Sequence, residues 1–359
     1  MNEFPLLKIS EKDSFAAFTF KVRYPKLLND LISQVESTPY LQNQLSELKE
    51  NLLTFEVIEL THEEPQLWRA FYDQYKGKPL IQVPFLYAEI YLFSVINSFY
   101  QAVELPIDPF GFTKELKKDH NKTLSLIQLS NEFLAKKYSL EDLVQISLTG
   151  NTADLSQLSE VKSSELIIIL NDRYNLISDI RRAEEIHIIL DNSGQELLSD
   201  ILLSLKIIED EDKPVTIHFK ASPIFVSDAL ENDLWILLNS LSIQKLTQKV
   251  QDHIKMKKLK LRKSEFWSSP NWFKYCPKEL EIFQKKNCTI VKGDANYRRL
   301  FNDRKYPINL STKSAANYID GSTYAIRTLK SEHLVGYEGV IPSDPKWLIN
   351  GQYGLIQQI

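Results

Sequence analysis

Hydrophobic residues recur at helical spacing through the first part of the chain. They fall at Leu27, Leu28, Leu31 and Ile32, and again at Leu41, Leu45, Leu48 and Leu52, so each stretch predicts a helix with one apolar face. Between Phe85 and Val103 apolar and aromatic residues cover several faces, which predicts a buried helix. Residues 123–138 and 140–146 predict two shorter helices, and no alternating strand stands out before about residue 158.

After Asn151 the period changes. Short apolar or β-branched runs at 166–170, 186–190, 215–219, 289–291 and 324–326 are separated by helical stretches. Continuous apolar strands alternating with helices predict a mostly parallel sheet covered on both faces. Residues 347–356, with Asn350-Gly351-Gln352 in the middle, read as a hairpin. The expected fold class is therefore α/β: a helical N-terminal portion over residues 1–145, then a three-layer α/β/α Rossmann-like domain with a mostly parallel sheet over 146–359.

Composition narrows the chemistry. The 359 residues are 43% hydrophobic and 25% charged, with a net charge of −4. That suits a sizeable core and offers no global attraction for nucleic acid. No apolar run approaches the ~20 residues of a membrane span, and the N-terminus lacks the order of a signal peptide. Cys276 and Cys288 lie twelve positions apart, so they form no C-x-x-C pair. A cytoplasmic protein with no membrane or nucleic-acid partner is expected. The ten glycines have neither the spacing of G-x-G-x-x-G nor that of G-x-x-x-x-G-K-[ST], which excludes the standard dinucleotide fingerprint and the Walker-type loop.

In an open parallel sheet, ligands bind beyond the carboxyl ends of the strands. The run at 186–190 ends in Asp191-Asn192-Ser193-Gly194-Gln195-Glu196 ahead of an amphipathic helix. Two hard oxygen ligands beside a helix N-terminus suit a divalent cation and a phosphate, although Asp191 and Asn192 could equally cap that helix. Asp228, after the run at 215–219, is either a further ligand or an N-cap. The run at 289–291 ends in Lys292-Gly293-Asp294-Ala295-Asn296-Tyr297-Arg298-Arg299, either a phosphate-facing loop or a turn with a solvated arginine pair, and the run at 324–326 ends in Arg327-Thr328-Leu329-Lys330. Acid, amide and cation at four strand ends are what metal-assisted phosphate chemistry requires.

Asp191 to Glu196, Phe225-Val226-Ser227-Asp228, Lys292 to Arg298 and Arg327 to Lys330 resemble the signatures of the damage-control phosphatase family, formerly domain of unknown function 89. Arg327-Thr328-Leu329-Lys330 points to its third, acidic-residue-methyltransferase-like branch. Further matches are Arg23-Tyr24-Pro25, Ala88-Glu89-Ile90-Tyr91, Asp108-Pro109-Phe110, the stretch Gly150 to Ser156, and Trp347 ahead of Gly351 and Gly354. The resemblance implies a phosphatase acting with Mn, Co, Ni or Mg on small sugar phosphates such as fructose 1-phosphate. It implies Asp191, Asn192 and Asp228 as metal ligands, with Asp191 and Asp294 catalytic. Substrate would be held by Asp294, Ala295, Asn296, Tyr297, Arg298 and Lys330, with Glu89 contributing from the helical portion as part of a wall or lid. The alternative activity is S-adenosylmethionine-dependent carboxyl methyl transfer, for which the usual glycine-rich loop is missing. Departures from the branch at Thr149, Ile224 and Phe93-Ser94 bear on the organic half of the substrate.

Other signals have simpler readings. His187 and His218 fall inside strands and read as core residues, and no H-E-x-x-H spacing occurs. The basic run 253–263 reads as a solvated helix face. Ser159-Glu160-Val161-Lys162 lacks the partner motifs of an S-x-x-K nucleophile. Phe266, Trp267, Trp272 and Phe273 are expected to plug the domain interface.

Overall fold

One apolar helix must be hidden on every side, and one sheet must be hidden on both faces; these two demands organise the chain. The computed structural model describes residues 4–61, 63–103, 108–114, 120–150 and 166–359. His62, residues 151–156 and the Ser159–Lys162 pattern lie outside the described residues.

The predicted buried helix is Phe85–Ala102, covered along most of its length. Helices Tyr24–Gln34, Pro39–Glu50 and Pro65–Tyr75 bury Leu28 and Leu31, then Leu41, Leu45 and Leu48, then Trp68, Phe71, Tyr72 and Tyr75 in the same cluster. Each offers a single apolar stripe, which is why they surround the central helix instead of replacing it. Among the described residues, no helix is long and apolar enough to cross a membrane.

The second demand is met by seven strands: β1 (Ile167–Asn171), β2 (Glu185–Ile189), β3 (Val215–Lys220), β4 (Leu259–Ser264), β5 (Asn287–Lys292), β6 (Ser322–Thr328) and β7 (Tyr353–Gln358). They lie in the order β1-β7-β6-β5-β2-β3-β4. The five strands from β6 to β4 are mutually parallel, whereas β7 runs antiparallel to β6 and β1 parallel to β7. The mostly parallel α/β sheet expected from the sequence is present.

Side chains alternate between two cores, as strand geometry requires. Ile188, Ile290, Tyr324 and Ile326 join the cluster built with helices His120–Leu134, Leu140–Thr149, Arg173–Arg182, Gln195–Glu211 and Glu231–Leu241. Ile189, Val291, Ala325 and Leu355 face the other way, onto Phe266, Trp267, Phe273, Tyr297 and Leu300. By packing, the helices 120–134 and 140–149 side with the sheet, since among the described residues the buried core of the helical portion runs from Leu7 to Phe110 and is joined from farther along the chain by Ile224, with Phe225 and Val226 against it.

Three expectations need correction. Residues 347–349 form no strand; β7 is inserted between β6 and β1 and is paired on both edges, so the apolar Leu355 and Ile356 pack on opposite faces of the sheet. The basic run is the end of helix Gln244–Lys255 followed by edge strand β4, whose Leu259 and Leu261 pack inward while Lys260 is exposed. Charged residues on an edge strand discourage pairing with another chain. Phe266, Trp267 and Phe273 fill the second face of the sheet instead of plugging an interface.

That aromatic layer is secured by a buried arginine. Arg299 is 1% exposed and donates to the carbonyls of Trp267 (2.7 Å), Phe266 (2.7 Å), Ser269 (3.1 Å) and Asn271 (3.1 Å). Replacing it with methionine would keep the bulk and strand several buried acceptors, each costly to desolvate. Arg299→Met is expected to lower unfolding free energy by about 3 kcal/mol or more, read from the urea midpoint at unchanged slope.

Candidate active site

The site begins with two loops that leave neighbouring parallel strands at their carboxyl ends. Asp191 and Asn192 follow β2, and the helix Gln195–Glu211 starts after Gly194, whose φ of +71° no L side chain adopts easily. No side chain caps that helix, so Asp191 and Asn192 are not spent as caps. Asp228 is not a cap either, because Asp233 caps the next helix by accepting from the Leu230 N–H at 2.9 Å. The loops are zipped together by Ser193 N–H to Ser227 O (2.7 Å), Ala229 N–H to Asp191 O (2.8 Å) and a bridge between Asn192 and Asp228. This zipper brings Asp191, Asn192 and Asp228 together. Just before it, Phe225 and Val226 hold φ of +51° and +68°, strain that persists only where the surroundings impose it.

The gathered carboxylates are buried: Asp191 is 6%, Glu196 4% and Asp228 1% exposed. Burial and then repulsion from Glu196 and Asp228 push the Asp191 carboxyl well above its usual range, and burial raises Asp228 likewise. Two lysines offset part of this. Lys220, the last residue of β3, lies 3.0 Å from Asp228 and donates to Leu190 O. Lys292, the last residue of β5, lies 3.0 Å from Asp200 and 3.6 Å from Glu196, and donates to Ser147 O (2.5 Å) and Oγ (2.6 Å). Gly293 explains the closeness of approach: at φ +82° a Cβ there would sit 1.9 Å from Asp191 Cγ.

Two buried carboxylates and a partly exposed amide beside them, all hard oxygen donors, fit a divalent cation that would relieve the carboxylates' repulsion. Among the described residues, no group of three or more His, Cys, Asp or Glu could hold a metal ion by itself. The hard oxygen donors gathered here are thus Asp191 and Asp228 with the Asn192 amide, fewer than the roughly six or more that hard cations usually take.

The residues expected to hold substrate divide into two groups. Asp294, partly exposed, accepts from Arg327 at 2.7 Å and from the Lys330 N–H at 3.3 Å. Ala295 is partly exposed beside it, and the Lys330 ammonium, also partly exposed, acts electrostatically on Asp191 without a side-chain acceptor among the described residues. Asn296, Tyr297 and Arg298 instead turn inward. Asn296 donates to Leu190 O and Lys292 O, Tyr297 donates to Gln357 at 2.9 Å, and Arg298 forms a bidentate pair with Asp303 and a 2.6 Å bond to Glu89. Glu89, which also accepts from Tyr24 at 2.5 Å, thus reaches the site through Arg298. The arginine pair at 298 and 299 is buried, not solvated. Lys220, Lys292 and Ser227 were not singled out from the sequence; the usable signal was a lysine ending an otherwise uncharged strand at 215–220 and 287–292.

A family model described as "Damage-control phosphatase ARMT1-like domain" matches residues 19–344. Proteins named Damage-control phosphatase ARMT1 from Macaca fascicularis and Homo sapiens are each 28% identical to this chain, over 96% of either length. The Mus musculus protein of that name is 27% identical over 98% of this chain and 97% of its own. A solved DUF89 family protein from Pyrococcus horikoshii superposes with a TM-score of 0.45 at 17% identity, covering 86% of this chain and 92% of that one.

The electrostatics give a stability prediction. An acid whose folded-state pKa is raised costs stability as pH climbs from its unfolded value through the raised one. Asp191→Asn, neutral throughout, is therefore expected to raise the melting temperature in chelator at pH 7.5, with the gap narrowing toward pH 4. A lower melting temperature at pH 7.5 would contradict this account of the cluster.

Proposed function

The chain belongs to the ARMT1-like damage-control phosphatase family, and from that premise we propose that it is a divalent-metal-dependent hydrolase of small sugar phosphates. Fructose 1-phosphate and related hexose and pentose phosphates are the substrates we would test first. One observation supports the metal-dependent step above all others. The zipper between the loops after β2 and β3 brings the buried Asp191 and Asp228 together with the partly exposed Asn192, within electrostatic reach of the Lys330 ammonium, which has no side-chain acceptor among the described residues.

A bound Mg, Mn, Co or Ni ion would be held by Asp191, Asn192 and Asp228, and would supply Lewis acidity toward a phosphoryl oxygen and a lowered pKa for an attacking water. Lys330 neutralises charge on the phosphoryl oxygens as it builds toward the transition state. Asp294 is fixed by Arg327, itself stacked 3.8 Å over the Tyr297 ring. Its second carboxylate oxygen is left for a sugar hydroxyl or for a proton on its way to the leaving alkoxide. Arg298 serves by holding Glu89 and Asp303 in place and does not bind phosphate directly. Cys276 and Cys288 are free thiols, the first pushed up to about 12 by burial, which suits a reducing cytoplasm. No observation favours the carboxyl methyltransferase reading.

Phosphate release from p-nitrophenyl phosphate and fructose 1-phosphate tests the proposal. Chelation is expected to abolish turnover and Mn, Co, Ni or Mg to restore it. Asp191→Asn is expected to lose at least about a hundredfold in rate while remaining folded. Full activity in chelator, or in this variant, would overturn the reading. Lys330→Ala is expected to lower kcat/KM about a hundredfold in a steady-state titration, and an unchanged value would remove its assigned role.

A further inference from the structure

Asn192 is an awkward ligand, because only one end of its side-chain amide can face a cation. The Oδ1 end is an acceptor; the Nδ2 end is a donor and is repelled by positive charge. Rotation by 180° about the last side-chain bond exchanges them at little steric cost, so the surroundings must choose. Here both Nδ2 hydrogens are directed to carboxylates, Asp191 Oδ2 at 2.8 Å and Glu196 Oε2 at 2.9 Å. Oδ1 accepts from Ser227 Oγ at 2.5 Å and keeps a second lone pair. Glu196 is itself fixed. It stands in the first turn of helix Gln195–Glu211, 4% exposed, with Lys292 Nζ 3.6 Å from its other carboxylate oxygen. Asp191 would be drawn toward a bound cation, and its hold on Nδ2 would weaken; Glu196, turned toward Lys292, would keep its hold.

Resting on the metal reading above, we propose that Glu196 is a positioning residue. Braced by Lys292, it takes the Asn192 amide nitrogen and thereby presents the amide oxygen to the divalent cation. The carboxylate is suited to this because both its oxygens accept. A glutamine in its place must either turn its own NH2 toward Lys292, a donor against a donor, or offer it to Asn192 and reverse the amide. The role is one of outer-sphere orientation, whose loss commonly weakens metal binding by about 10–100-fold.

The distinguishing test is a double-mutant cycle on Mn2+ affinity, measured by calorimetry on the full chain without substrate. Glu196→Gln is expected to weaken Mn2+ binding at least about tenfold in the native background. In an Asn192→Asp background, where both ends of the ligand are oxygen and orientation is immaterial, the same change is expected to cost less than about threefold. Equal losses in the two backgrounds, or none in the first, would overturn the proposal, since a merely structural role for Glu196 does not depend on what stands at 192. Glu196→Asp, too short to reach Asn192 but still charged, is expected to behave likewise and carries the comparison if the glutamine variant does not fold. Failure of the unaltered protein to bind Mn2+ would instead overturn the metal reading, and this inference with it.

Discussion

The structure depends on keeping several negative charges together where water is scarce. Asp191, Glu196, Asp200 and Asp228 are all buried near the carboxyl end of β2 and its neighbours, and ionised carboxylates so placed are tolerated only with partners. The sheet order supplies them. β2 carries Asp191 out between β5 and β3, and each of those strands ends in a lysine, Lys292 on one side and Lys220 on the other. Neither ammonium is fully buried among apolar groups; each finds a carboxylate and a backbone carbonyl. Burial pulls Asp200 up to about 6 even with Lys292 opposing it.

Among the ties between the helical portion and this arrangement, two differ in character. Glu89, from the second turn of the buried helix, grips Arg298, which in turn grips Asp303, whose carboxylate accepts from the Leu86 N–H. That is a closed circuit between the two parts of the chain. Lys114 makes the other tie: its ammonium meets Asp108, Asp233 and the Asp228 carbonyl, all at 2.8–2.9 Å. A backbone shift at Asp228 is therefore resisted from both sides.

The sheet was legible because strands buried on both faces carry continuous apolar runs; β2, β3, β5 and β6 announced themselves. β4 did not, since an edge strand rich in lysine and arginine looks like the tail of the basic helix before it. β7 was visible as a strand, but its partners were not, because pairing between residues distant in sequence leaves no local mark. At the site, strand-end position and residue type pointed to Asp191, Asn192, Asp228 and Asp294. Direction was illegible: Asp294 and Arg298 stand on one short helix, yet the first is partly exposed and the second buried. Tyr24 was legible only as part of Arg23-Tyr24-Pro25; its bond to Glu89 joins residues 65 positions apart and leaves no local mark, although the π-helical turn Thr19–Arg23 just before it is of a kind often found at functional sites.

That short helix, Asp294–Leu300, gives nearly every residue a different neighbour. Asp294 takes Arg327, Asn296 the ends of β2 and β5, Tyr297 the C-terminal strand, Arg298 the helical portion and Arg299 the aromatic layer. An insertion or deletion of one residue would turn every later side chain by about 100° and misdirect these attachments at once. The segment can therefore change by substitution at its partly exposed residues, Asp294 and Ala295, far more readily than by any change of length.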